Sequence, residues 1–290
     1  MSKRFKVACV QNSARPDVAD SMVEVGALVR RARNAGADFI LTPENVAMLE
    51  PRRANVLQKA RPEEGHDALA ALQDLARETG AWLLAGSLTV KVEPEKVANR
   101  SYLLSPDGAV VVSYDKMHMF DVDLAGGESY RESRTYRAGS EAVLAQLPWG
   151  VLGLTICYDL RFPYLYRSLA KAGAQFLTVP SAFTRPTGKA HWHVLLRARA
   201  IETGCYVFAP AQCGEHEGGR KTYGHSLIID PWGEVLADGG EEPGIIVAEV
   251  DTARIDEVRG MVPSLGHDRD YAGPEPVGAP GEPALKAVNA

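Results

Sequence analysis

The chain has 290 residues, 46% of them hydrophobic and 24% charged, with a formal net charge of −5. That is the composition of a globular protein long enough to bury a sizeable core, as one large domain or two small ones. A mildly acidic chain with no basic cluster offers no surface for a nucleic-acid backbone, and no window approaches the ~20 apolar residues of a membrane span.

Read in chain order, MSKRFKVACVQ opens without an apolar leader and runs straight into a strand pattern at 5–11. A helical pattern follows over 21–36, with Val23, Val25, Leu28 and Val29 grouped on one face. Next come a strand at 38–43 and a helix at 66–80, whose stripe is Leu69, Leu72 and Leu75 and whose Gly80 suits the position after a helix end. Strands are expected at 82–90, 101–105 and 109–115, the last two joined through SPDGA. After them come strands at 151–157 and 175–180, a helix at 190–204 ending in Gly204, and strands at 205–211, 225–230 and 244–250. In SPDGA and in DPWGE (230–234), proline and glycine are spaced for a type I turn. Strands and helices alternate in the first and third quarters, so the fold class is α/β.

The chain echoes itself. AGADFILTPE (35–44) is matched by AGAQFLTVPS (172–181), and LLSPDGAVV (103–111) by IIDPWGEVL (228–236), in the same order. Two similar halves, each a sheet backed by helices, would pack sheet to sheet as a four-layer α-β-β-α sandwich. The stretch 263–290 is rich in Pro, Gly and Ala; it is set apart as a tail or surface arm from a domain spanning 1–262.

In α/β sheets, functional groups tend to project from the carboxyl ends of strands. Three such ends here deliver reactive residues: Glu44, Lys116 and Cys157. Singly, each has an ordinary reading as a helix-terminal carboxylate, an edge lysine or a core thiol. Together they are complementary, because a thiol needs a base, a carboxylate can act as one, and a lysine can hold an oxyanion. No histidine lies within thirty residues of Cys157, so a carboxylate from a distant strand is the expected base. Cys9, Cys205 and Cys213 read as buried structural thiols. The four cysteines share no CxxC or CxxH spacing, and the expectation is of no metal, no cofactor and a cytoplasmic setting.

LTPENV around Glu44, YDKMHMFD around Lys116 and LTICYDLRFP around Cys157 resemble the three signature blocks of the nitrilase superfamily of carbon–nitrogen hydrolases. The resemblance runs from Val7 to about Val262 and implies the α-β-β-α sandwich with a Glu44–Lys116–Cys157 triad. It also implies a second glutamate, Glu132 in YRES, with Glu128 as the other candidate. The segments 180–214 and 223–237 resemble the Nit branch, the deaminated-glutathione amidases most and the sister omega-amidases next. This implies an amidase that cleaves a terminal or γ-amide of a small carboxylic acid through a thioester. The resemblance also leaves open a nitrilase proper, a carbamoyl-amino-acid or polyamine-type amidohydrolase, and an acyltransferase that uses an amine instead of water. The partners implied are a small amide and water, in a homodimer or a larger assembly of dimers. Tyr158, Phe183, Thr187 and His191 are candidate pocket residues, and Arg185 is a candidate for pairing with a substrate carboxylate. Arg161 is expected to brace Asp159 or a neighbouring loop, Trp192 to pack, and His225 to be buried and hydrogen-bonded.

Overall fold

The computed structural model describes residues 3–124 and 127–273. The first sheet is built from β1 (Arg4–Gln11), β2 (Phe39–Leu41), β3 (Trp82–Glu93), β4 (Lys96–Leu104) and β5 (Val110–Asp115). A small ribbon of β6 (Asp121–Asp123) and β7 (Ser129–Arg131) follows. The second sheet takes β8 (Val143–Leu147), β9 (Gly150–Leu154), β10 (Phe176–Thr178) and β11 (Tyr206–Ala209). After a second ribbon, β12 (Cys213–Glu215) with β13 (Lys221–Tyr223), it is completed by β14 (Leu227–Ile229) and β15 (Val235–Asp238). The last strand, β16 (Gly244–Asp251), returns to the first sheet and pairs antiparallel with β1. The strand orders are β16-β1-β2-β3-β4-β5 and β15-β14-β11-β10-β9-β8.

The two orders describe one topology used twice. In each sheet three adjacent strands run parallel, β1-β2-β3 and β9-β10-β11. An antiparallel hairpin extends one side, β4-β5 or β14-β15, and an antiparallel edge strand closes the other. The echoed sequences fall on equivalent pieces: 35–44 enters β2 as 172–181 enters β10, and the two proline–glycine turns close the two hairpins. In those turns Gly108 donates to the Ser105 carbonyl (2.8 Å) and Gly233 to that of Asp230 (3.0 Å).

Side-chain alternation along β1 shows how the layers form. Phe5, Val7 and Cys9 face the second sheet, whereas Ala8 and Val10 face helices. Between the sheets Phe5 meets Phe176 edge-on at 5.5 Å and Phe39 meets Phe208 at 6.3 Å. Outside the first sheet lie α1 (Val18–Asn34) and α3 (Asp67–Thr79), preceded by the short α2 (Arg53–Lys59); α4 (Pro163–Lys171) and α5 (Arg185–Thr203) cover the second. Asp17 caps α1 by accepting from the Asp20 amide, and Gly80 ends α3 in a left-handed turn. On α3, Leu69, Leu72 and Leu75 are all buried, each contributing about 1.5–3 kcal/mol. Val25, Val29 and Ala32 do the same for α1. Val23, expected on that face, is 77% exposed, because two residues turn a helix by about 200° away from Val25.

The last helix, α6 (Ala253–Met261), leads to a single 3₁₀ turn, Ser264–Gly266. Arg167 donates to the Ser264 carbonyl and, with Lys171, pairs with Asp268, so α4 holds the start of the segment set apart as a tail. Residues 274–290 of it lie outside the described residues. No helix among the described residues is long and apolar enough to cross a membrane.

Candidate active site

The carboxyl ends of β2, β5 and β9 converge on one cavity of about 590 Å³ that Glu44, Lys116, Glu132 and Cys157 all line. Each arrives by a different local device. Glu44 lies three residues past β2, on a segment seated against Gly86. A Cβ at Gly86 would fall 1.8 Å from the Thr42 carbonyl oxygen and 2.5 Å from that of Pro43, so only glycine permits this approach. Lys116 directly follows β5, its amide donating to the Asn99 carbonyl. Cys157 lies past the end of β9, which stops at Leu154, and opens a 3₁₀ turn with φ of 50°. A non-glycine residue in that left-handed region is strained, and the turn is held by its surroundings. The Cys157 amide donates to the Pro180 carbonyl (3.0 Å) and Asp159 accepts from the Ile156 amide (2.9 Å).

The charges form a tight set. The Lys116 ammonium donates to Glu44 Oε1 at 2.9 Å and to both oxygens of Glu132 at 2.9 and 3.0 Å. Glu44 and Lys116 are 3% and 2% exposed. Asn99 Nδ2 bridges the two carboxylates, at 2.9 Å from Glu44 and 3.3 Å from Glu132. The other Glu44 oxygen accepts from the Ala182 amide (2.8 Å), and Glu132 also accepts from the Phe120 amide (2.7 Å). Glu128 is exposed and accepts from the Tyr130 hydroxyl, so it is Glu132 that lies against the lysine.

Electrostatics follow from this geometry. Burial pushes the Glu44 carboxyl up, but Lys116, the Cys157 contact and the Arg220 charge outweigh it and hold the group below its ordinary value. Burial likewise disfavours the Lys116 cation, yet Glu132 and Glu44 keep it well above the usual lysine range. For Cys157, burial comes first and the Glu44 charge second, both driving the thiol up against the pull of Lys116. Two carboxylates already face one ammonium, so a thiolate would add a third anion on top of the burial penalty. At rest the arrangement is a neutral thiol beside an ionised carboxylate.

The other nominated residues divide. Tyr158, Phe183 and Thr187 line the cavity. Arg185 and His191 do not. Arg185 is the first residue of α5 and leans toward Glu241 (3.8 Å), and exposed His191 meets Arg161. Arg161 itself braces rings, Tyr158 (5.8 Å) and Phe183 (5.6 Å), instead of Asp159. Besides the Ile156 amide, the partners of the Asp159 carboxylate are Tyr114 (2.7 Å) and the amide and ring of His118. Trp192 is buried, and its ring N–H donates to the His225 carbonyl. His225 is half-buried and hydrogen-bonded to Asp238 (2.8 Å). Cys9, Cys205 and Cys213 are buried. The sequence patterns did not mark Asn99, the Ala182 amide or Arg220. The adjacent glycines of GGR (218–220), which let that loop fold over the cavity, were the available signal for Arg220.

Residues 6–260 match the family model described as carbon-nitrogen hydrolase. A curated relative from Synechocystis sp. named deaminated glutathione amidase is 42% identical over 269 residues, covering 91% of this chain and 98% of that protein. The crystal structure of the C. elegans NitFhit protein superposes with a TM-score of 0.86 at 36% identity, covering 92% of this chain and 65% of that one. A glutamate-to-glutamine mutant of the amidase from Nesterenkonia sp. AN1, with acrylamide added at its active-site cysteine, superposes with a TM-score of 0.76. It is 27% identical and covers 89% of this chain and 98% of that one. The chain belongs to the carbon–nitrogen hydrolase family.

Proposed function

We propose that this carbon–nitrogen hydrolase is an amidase that cleaves a γ- or terminal amide of a small carboxylic acid, with Cys157 as nucleophile and deaminated glutathione as the best-supported substrate. The observation that carries the reading is Cys157 and Glu44 lining one buried cavity, with Lys116 clamped between Glu44 and Glu132. Glu44 takes the thiol proton as sulfur attacks the amide carbon, so the free thiolate need never accumulate. The oxyanion forms against the Lys116 charge and the Tyr158 backbone N–H. The lysine is fully engaged by carboxylate oxygens, so it acts as a fixed positive charge held in place by Glu132. Glu44 then passes the proton to the leaving amine and activates the water that hydrolyses the thioester. Net charge in the site is the same before and after proton transfer, which keeps the step cheap in a dry pocket.

The name of the Synechocystis relative supports the substrate class, and a cavity of about 590 Å³ has room for a tripeptide-sized acid. We place the enzyme in the cytoplasm, a reducing setting that suits four unpaired cysteines, and propose a homodimer or an assembly of dimers. The test is amine release from deaminated glutathione, α-ketoglutaramate, an N-carbamoyl amino acid and a simple nitrile. The reading expects the highest kcat/KM for deaminated glutathione. Preference for the carbamoyl compound or the nitrile would overturn the amidase assignment.

A further inference from the structure

We infer that Arg220, on the loop between β12 and β13, is the cation that seats the substrate's own carboxylate. The inference rests on the amidase reading above and names the group that selects an acid over a neutral amide. Four guanidiniums line the cavity, and they are not equivalent. Arg53 is paired with Glu95 and Arg131 with Asp123, while Arg134 is exposed at the rim. Arg220 is half-buried and forms no ion pair among the described residues, and its buried Nε has no hydrogen-bond partner there.

Its contacts fix it without neutralising it. One Nη donates to the Ala182 carbonyl, and the guanidinium lies 5.3 Å from the Tyr130 ring centroid. Glu128, which also lines the cavity, is bound by the Tyr130 hydroxyl and makes no ion pair with it. The Ala182 amide holds Glu44, so one residue of backbone separates the base from this cation. A guanidinium suits a carboxylate, and none of the carboxylates among the described residues forms an ion pair with this one. The arrangement therefore fits an amide whose acyl half ends in a carboxylate, with the scissile carbonyl at Cys157 and the acid end at Arg220.

The experiment compares glutaramate with its methyl ester, equal in reach and different in charge. In the wild type, kcat/KM should favour the acid by roughly 10- to 100-fold, the range of a charge-assisted hydrogen bond, carried mainly in KM. In Arg220→Gln that preference should collapse toward one, and Arg220→Lys should keep part of it. Both substrates use the same triad, so the acid-to-ester ratio is insensitive to general damage from misfolding. A wild-type ratio near one, or a ratio unchanged in Arg220→Gln, overturns the assignment while leaving an active amidase. Failure of the wild type to release ammonia from either compound overturns the amidase reading and this one with it.

Discussion

The two halves of the sandwich share a topology and differ in what they carry at equivalent strand ends. Past β2 the chain reads Pro43-Glu44; past β10 it reads Pro180-Ser181, whose hydroxyl donates back to the Val179 carbonyl. Past β5 stands Lys116, buried among three carboxylate oxygens. The second hairpin ends instead at Asp238, bound by His193 (3.1 Å) and His225 (2.8 Å) in a cluster whose side chains are 20–36% exposed. Both clusters gather ionisable side chains, but only the first is deeply buried. Solvent reaches the second, so its hydrogen bonds hold a surface loop and tune little. A strand end is thus a place where chemistry can be put, and burial with an unequal charge count is what makes it reactive.

The contrast can be tested most severely at the buried cluster. Cys157→Ala should abolish turnover, and Glu44→Gln should reduce kcat by about 10²–10⁴, the range of a lost general base. The glutamine variant should also show an opposite effect: with the Glu44 charge gone and Lys116 still present, the thiol ionises more readily. Its alkylation by iodoacetamide should begin at lower pH than in the wild type. An unchanged alkylation profile would mean that Glu44 does not govern the thiol.

Gly86→Ala comes next. A Cβ 1.8 Å from a backbone oxygen and 2.7 Å from Pro180 forces the Glu44 segment to move, at a cost of about 3 kcal/mol or more, readable as a lowered urea midpoint with a lower kcat. A smaller effect is expected in the pH profile of kcat/KM. Glu44 sits below its ordinary 4.5, so the acid limb should fall below that pH. Cys157 sits above its ordinary 9.0, so no thiol limb should appear as pH rises through 9. The smallest effect belongs to the exposed cluster. Asp238→Asn should leave turnover unchanged and cost less than about 1 kcal/mol, a shift of a few degrees in Tm at most.

Much of this architecture was legible because it is periodic or repeated. The β4–β5 and β14–β15 turns announced themselves by Pro-x-Gly, and the echoed AGA-x-F segments marked equivalent strands before any packing was known. The four ionisable residues of the site stood beside strand ends or in recognisable blocks. What stayed hidden depends on chain return. Asn99 sits in mid-strand, where only the positions of Glu44 and Glu132 give its amide a purpose. Ala182 contributes a backbone N–H, which no side-chain pattern can report. Arg185 was the more visible arginine because it adjoins Phe183 and Thr187 in sequence. The start of α5 turns it toward Glu241, and the cavity receives Arg220 from a polar loop without apolar period. Short elements such as α4 and β8 offer too few repeats for a period to stand out.

The interface between the sheets is largely apolar, and apolar contact is non-directional: it resists separation far better than it resists sliding. Asp159 changes that. It belongs to the turn that carries Cys157, yet two of its ligands, Tyr114 and His118, belong to the segment that carries Lys116. This buried carboxylate works as a dowel driven through both plates. Shear by even one ångström would break short hydrogen bonds to a carboxylate that is itself fully buried. The spacing between lysine and cysteine is therefore set by a joint.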